Sequence, residues 1–488
     1  MPAQISKQIA LSALSVAAAV TLAACATNPA TGESEFSLMS EAQEVQLGKE
    51  MDPQIRQQMG VYQDAELQRY VSEVGLRLAR ASERPSLPWQ FTVVDEPAVN
   101  AFALPGGFIY ITRGIMAYLH DEEQLAGVLG HEIGHVTARH SAQQYTQQTS
   151  AGIGLTLLSI FVPEARPFQG VAETAFGLLF LKHGRDDELQ ADRLGVRYTA
   201  EAGWDPAGVA GMLRTLQRLD AASGSNRGVP NFLSTHPAPG DRVQRVMTFV
   251  QELPVAVGTA GRPADEAEYQ RIIDGIVFGD SPSDGIVRGN QFLHPELRLA
   301  LQFPQGWEIQ NSPQQVAAKA PDRDNFMVLQ LVPNASGSIQ QIAQATMASA
   351  GFRQIEGEPA SLNGLDAYVG TYQATAQDVG NVVAVAAHIV HNRNVYLLAG
   401  LAPAGQFQGV QAQFANSIKS FRELSASQAA DIRPNRVDIH TVRAGDTWGA
   451  ISKRGGGLVT AETLAIMNGY EPNQQPRTGD RIKIVVEG

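Results

Sequence analysis

The chain has 488 residues, 44% of them hydrophobic and 18% charged, with a formal net charge of −12. It is globular and acidic, which excludes the basic footprint of a nucleic-acid binder, and its length accommodates about three domains. The one cysteine, Cys25, excludes an internal disulfide.

The chain opens with MPAQISKQIALSALSVAAAVTLAACATN, in which Lys7 precedes an apolar run from Ile9 to Ala24. That is signal-peptide patterning. Its end, Leu22-Ala23-Ala24-Cys25, resembles a bacterial lipobox, so residues 1–25 are expected to direct lipidation of Cys25. Ala26 follows without an aspartate, which resembles lipoproteins sorted to the outer membrane. An ordinary secretory peptide is the competing reading, and the Ala-rich run disfavours a spanning anchor.

Asn100–Ile111 alternates and is β-rich, with Pro105-Gly106-Gly107 as a turn. The stretch LGHEIGHVTARH, residues 129–140, follows. Asp121 and Gln124 form a capping box ahead of it, and Leu125, Val128, Leu129, Glu132 and Val136 recur at helical spacing. Residues four apart on a helix differ by about 40°, so His131 and His135 share a face and can grip one ion. Glu132, about 100° away, reaches a water on that ion without ligating it. Gly130 and Gly134 weaken the helix by about 1 kcal/mol each, which points to close approach by another segment. His140 lies about 180° around the helix from His131 and is not the third ligand. Ala138 and Ser141 stand where the longer histidine motif needs glycine and histidine.

Catalytic zinc usually takes three protein ligands and keeps one open position. GRDDELQADRLGVRYTAEAGWD, residues 184–205, reads as a helix with Glu188 and Asp192 on one face. Glu188 completes a His-His-Glu set, and Asp192 accepts the free ring N–H of a ligand histidine. Two apolar stretches, 151–162 and 175–181, are shorter than the ~20 residues of a spanning helix. They read as buried helices, or as a mobile cover that touches apolar substrate. AASGSNRGVP is a loop, and AGRPADEAEY introduces a helix at Ala264–Ile276.

HEIGH, RDDELQAD, VNAFALPGGFIYITRGIM and STHPAPGDR together resemble the M48 metallopeptidases, over about residues 30–250. The resemblance implies a mainly helical, zincin-type (gluzincin-like) protease domain at 26–262 with a small sheet. It implies one Zn2+ on His131, His135 and Glu188, Glu132 as general base and Asp192 behind a ligand. A strand through Asn100, Ala101 and Phe102 would border the cleft, where substrate adds as an extended strand read by its backbone. His236 would stabilise the oxyanion or, without substrate, occupy the open zinc position; a loop histidine held by Pro237 and Pro239 is the alternative. Arg242 would pair with a cleft carboxylate. His183-Gly184 replace an aromatic-Ser pair that often precedes the arginine, a departure expected to alter packing and not ligation.

Residues 280–425 read as a small α/β domain with a helix at Ser338–Ala350, loosely resembling the PsbP type. His388 and His391, three apart in a strand, would face opposite sides and share no metal. After a polar linker, 426–438, residues 439–488 resemble a βααβ LysM module through Gly445-Asp446-Thr447-Trp448, Ile451, Leu464, Asn468-Gly469, Gly479 and Ile482. That resemblance implies binding of N-acetylglucosamine glycans such as peptidoglycan by Gly445, Asp446, Thr447 and Asn468; the alternative is that Asp446 and Asn468 only cap and turn the module. The insertion Arg454–Gly457 departs from the pattern.

The sequence therefore reads as an α+β multidomain, lipid-anchored zinc endopeptidase of the periplasm that hydrolyses misfolded or stalled envelope proteins. Two other classes remain open: a binding and assembly factor with a mostly closed site, and a cell-wall hydrolase.

Overall fold

The structure, a computed structural model, describes residues 25–32, 34–36, 39–144, 183–223, 231–237, 241–254, 266–321, 323–376, 380–471 and 473–488. Residues 1–24, which hold most of the expected signal peptide, the apolar stretches 151–162 and 175–181 and most of the AASGSNRGVP segment lie outside the described residues. Two compact units result: one holds the described residues up to Phe278 together with Arg436–Val486, and the other holds Gly279–Asn435.

The first unit begins with a short antiparallel pair, β1 (Cys25–Thr27) and β2 (Ser34–Phe36). Helix α1 (Glu41–Met59) starts at a reciprocal capping box between Ser40 and Gln43. Helix α2 (Ala65–Arg80), capped by Asp64, buries Leu67, Val71, Val74 and Leu78 along one stripe. A three-stranded sheet follows, β3 (Gln90–Val94), β4 (Ala101–Leu104) and β5 (Phe108–Thr112), in the order β3-β5-β4. Gly106 and Gly107, at φ 83° and 99°, make the β4–β5 turn, and β4 is left on the edge.

Helix α3 (Arg113–Tyr118) leads into α4 (Glu122–Thr137), the HExxH helix, in which every residue is buried. Asp121 caps it, accepting from the Gln124 amide at 2.8 Å. The expected reciprocal half of that capping box is absent, because the Gln124 side chain turns to His120 instead. Helices α5 (Arg185–Glu201), α6 (Ala207–Ser223), α7 (Asn231–Thr235), α8 (Arg242–Glu252) and α9 (Glu266–Ile273) complete the helical body. The same unit contains β17 (Arg436–Thr441), α13 (Trp448–Arg454), α14 (Ala461–Met467) and β18 (Arg481–Val486), a βααβ module closed by the antiparallel β17–β18 pair.

The second unit contains β6 (Ile286–Arg288), β7 (Gln291–His294), β8 (Leu299–Gln302), β9 (Glu308–Asn311), β10 (Gln315–Lys319), β11 (Phe326–Leu331), β12 (Arg353–Leu362), β13 (Leu365–Ala376), β14 (Gly380–His391), β15 (Asn394–Pro403) and β16 (Arg422–Glu423), arranged as a seven-stranded sheet, β12-β13-β14-β15-β11-β10-β9, and a four-stranded one, β16-β8-β7-β6. Their pairings are antiparallel, so this unit is α+β and not the α/β arrangement expected from sequence. Helix α10 (Ile339–Ser349) starts at the Ser338 cap, and α11 (Ala404–Ser420) follows β15 (Asn394–Pro403). The segment expected as a linker is partly folded. Ser425 caps α12 (Ala426–Ala430), and Ala429 is buried with Ala300 and Leu424.

Candidate metal centre

Two helices build the centre, and glycine lets them meet. A Cβ on Gly134 would stand 2.9 Å from Ala191 O, and one on Gly195 would stand 3.0 Å from the His131 amide. Helices α4 and α5 thus touch backbone to backbone, as the weak helix propensity of Gly130 and Gly134 anticipated. Only that approach lets the short Glu188 and Asp192 side chains, one turn apart on α5, reach the two histidines of α4.

His131 Nε2 lies 3.0 Å from His135 Nε2, and Glu188 oxygens lie 3.6 Å from the first and 3.4 Å from the second. His236 adds a fourth donor: its Nδ1 is 3.3 Å from His131 Nε2 and 2.9 Å from Glu188 Oε1. One donor atom from each of these four buried residues falls within 4.8 Å of the others. Tetrahedral donors about 2.1 Å from a zinc ion stand ~3.4 Å apart, so this nitrogen-and-oxygen set fits zinc. Glu132 is buried beside it, with Oε1 lacking a hydrogen-bond partner among the described residues and lying 3.7 Å from His236 Nε2. Phe102, Ala103, Glu132, His135, Thr235 and His236 help line a cavity of about 10 Å³, room for roughly one water.

The outer partners fix the rings. Asp192 Oδ1 stands 3.0 Å from His131 Nδ1. Arg242, fully buried, holds Asp192 through Nε at 2.6 Å and Nη2 at 2.8 Å, and its Nη1 reaches Glu188 at 2.7 Å. Burial pushes the Asp192 carboxyl up, and Arg242 outweighs it, leaving the group below its ordinary value. Glu188 is held lower still: His236 and Arg242 outweigh its burial. Glu132 moves the other way, raised chiefly by burial despite His236 and His131. Burial pulls His135 well down, and His183 adds to the effect.

Helical geometry alone misplaced His140. Helix α4 ends at Thr137 and Arg139 turns the chain at φ 63°, so the His140 ring folds back to put Nδ1 2.9 Å from His135 Nδ1. Its Nε2 lies 2.8 Å from Gln190 Oε1. This fixes one proton arrangement: His135 Nδ1–H donates to His140, and His140 Nε2–H donates to Gln190. His183, expected to affect packing and not ligation, packs its ring against His135 at a 34° tilt, with centroids 3.9 Å apart. His135, His140 and His183 also offer three nitrogens within 4.8 Å. The signal for both residues was their type, since the chain has only ten histidines.

The expected substrate strand lies at the sheet edge. Phe102 and Ala103 line the cavity; the Asn100 side chain accepts from the Ala101 amide instead, and the Asn100 amide donates to Thr112 Oγ1. In the βααβ module the expected glycan residues are used internally. Asp446 accepts from the Arg443 amide at 2.9 Å and sits 3.0 Å from His440 Nε2, and Asn468 bonds Leu464 O and both backbone groups of Lys483. Thr447 caps α13.

Residues 65–250 match the sequence profile described as Peptidase family M48, and residues 440–485 match that of the LysM domain. The first match spans the α4–α5 pair and His131, His135, Glu188 and His236. Over this region the chain is similar to the M48 peptidases. The M48 region is 34% identical over 225 residues to the beta-barrel assembly-enhancing protease of Escherichia coli, covering 44% of this chain and 46% of that protein. It is also 34% identical over 190 residues to the mitochondrial metalloendopeptidase OMA1 of Schizosaccharomyces pombe, covering 38% and 54%. The chain thus spans about half the length of these curated relatives. A solved cyanobacterial PsbP from Synechocystis matches at 16% identity over 30% of this chain and 98% of its own, with a TM-score of 0.24, too low to bear on the fold. Among the described residues no helix is long and apolar enough to cross a membrane.

Proposed function

We propose that the chain is a zinc-dependent endopeptidase of the bacterial envelope that hydrolyses misfolded or stalled envelope proteins. The observation that carries the reading is the buried convergence of His131, His135 and Glu188 beside Glu132. Zinc bound there supplies Lewis acidity and lowers the pKa of a bound water towards ~7. Glu132 takes the proton from the attacking water and passes it to the leaving amine. Asp192 and Arg242 hold the His131 ring, and His140 with Gln190 holds the His135 ring. The edge strand β4 receives substrate backbone as an added strand, which favours broad sequence selectivity.

His236 fills the fourth donor position at rest, supported by its distances to His131 and Glu188. Substrate must displace it, after which it faces the developing oxyanion. The protein is placed in the periplasm, lipidated at Cys25 and probing peptidoglycan with its LysM module; the leader sequence and the LysM match support this. Since Asp446 and Asn468 bond within the module, glycan contact falls to the exposed Gly445 and Thr447.

The test pairs zinc content with casein cleavage for wild type and Glu132→Gln. One zinc per chain in both, with cleavage by wild type alone, is the expected result. Zinc in neither would sink the metal reading, and zinc in both with no cleavage would favour a binding factor.

A further inference from the structure

The LysM module shares a hydrophobic core with the peptidase domain. Leu464, Ala465, Ile466 and Met467 of α14 belong to the same buried cluster as Leu125, Val128 and Leu129 of α4. The polar contacts gather at the turn between α3 and α4. Lys483 of β18 is buried, and its Nζ donates to Ala117 O at 3.0 Å and Leu119 O at 2.5 Å. These carbonyls lie at the end of α3, where a helix leaves its acceptors without internal partners. Asn468 pins the lysine by its backbone N–H and C=O. Next to it, His120 Nε2 lies 2.9 Å from Ile466 O, and His120 Nδ1 lies 2.9 Å from Gln124 Nε2. The amide of Gln124 is a donor, so the ring accepts at Nδ1 and donates from Nε2 to Ile466. Gly469, at φ +72°, leaves no space: a Cβ there would stand 2.7 Å from His120 Nδ1.

Leu119 and His120 immediately precede Asp121, the cap of the metal-site helix. We infer that the LysM module is a fixed wall of the peptidase, and that Lys483 and His120 are positioning residues that set the start of α4 and, through it, the His131–His135 pair. Helix α4 rises about 1.5 Å per residue, so the clamp acts ~15 Å from His131 along a single rigid element. Every residue of that helix is buried, and Gly130 and Gly134 meet α5 without slack. A shift of the first turn is therefore carried to the donors and not absorbed by solvent.

The inference rests on the metal-centre reading, and its test has one arm independent of metal. In the full chain, Lys483→Met keeps side-chain length and removes the donor. Hydrogen exchange at residues 113–137 should accelerate about tenfold, and zinc affinity, measured by chelator competition on folded protein, should fall about fivefold or more. Wild-type exchange and wild-type zinc affinity would overturn the proposal. Should Lys483→Met fail to fold, the Arg218–Glu471 pair across the same seam decides. Arg218→Glu should weaken zinc binding about twofold, and adding Glu471→Arg should restore it; no loss, or no restoration, overturns the proposal. If the wild type takes up no zinc, the metal reading fails by itself, and exchange at 113–137 still decides whether the module holds the turn.

Discussion

Gly134 of α4 and Ala191 of α5 are in backbone contact: a Cβ on Gly134 would stand 2.9 Å from the Ala191 carbonyl oxygen. Glu188 and Asp192 flank that contact on α5, so the contact sets how far the carboxylates stand from His131 and His135. Gly134→Ala should gain helix propensity locally and still destabilise the protein, by about 1–3 kcal/mol, because neither backbone can give way. Zinc affinity should drop about tenfold with it. Chelator competition and thermal unfolding check this; unchanged values for both would mean the helices have slack.

Arg242 pairs with two buried carboxylates at once, Asp192 and Glu188. Arg242→Met should cost about 3–5 kcal/mol, since it leaves buried charge uncompensated. Asp192→Asn, by contrast, keeps the shape and should mainly lower zinc affinity, about 10- to 100-fold, through the weakened bond to His131 Nδ1. Denaturant unfolding with zinc titration separates the two effects. Equal stability loss in both variants would contradict this assignment.

Metal removal should destabilise the peptidase domain. At zinc concentrations ~1,000 times Kd, binding contributes about 4 kcal/mol, so a strong chelator should lower the melting temperature by several degrees. Glu132→Gln should show the same chelator-induced shift as wild type, because Glu132 lies outside the donor set. A smaller shift in that variant would place Glu132 among the ligands.

Burial brings Lys483 down to about 7, against the partial opposition of Asp121 and Glu266. Below that value the folded and unfolded chains both hold the proton, and the penalty of burying the charge is fully present. Between about 7 and the ordinary lysine value near 10.4, only the unfolded chain is protonated, so stability from this group rises with pH, by up to ~1.4 kcal/mol per unit. Lys483→Met removes the rise. Urea unfolding of both proteins from pH 6.5 to 9.5 should therefore show a stability difference that shifts towards wild type as pH increases; a constant difference would refute the burial of an uncharged amine.

Much of the centre was legible in the sequence because its parts follow helical period. His131 with His135, and Glu188 with Asp192, are each four apart, and one turn of helix puts each pair on one face regardless of the rest of the fold. Gly130 and Gly134 were legible as a contact because two glycines inside a helix need a packing reason. His140 was misread for the same cause: the period was extended past Thr137, where Arg139 at φ 63° ends the helix and reverses the ring. The second unit was read as α/β because its strands flank helices, and strand direction depends on long-range pairing that local pattern does not encode.

The sequence by itself determined that His131 with His135, and Glu188 with Asp192, share helix faces and are candidates to hold an ion, since local spacing specifies this; the βααβ module was expected from its resemblance to the LysM pattern. Only the tertiary structure decided that His140 and His183 pack beside the centre, and that the module stands against the turn that starts the HExxH helix. Those relationships join residues up to 366 positions apart, as in the Lys483–Ala117 bond. They arise from burial and from buried polar groups having to find partners, conditions set by the whole packed core and by no single stretch of chain.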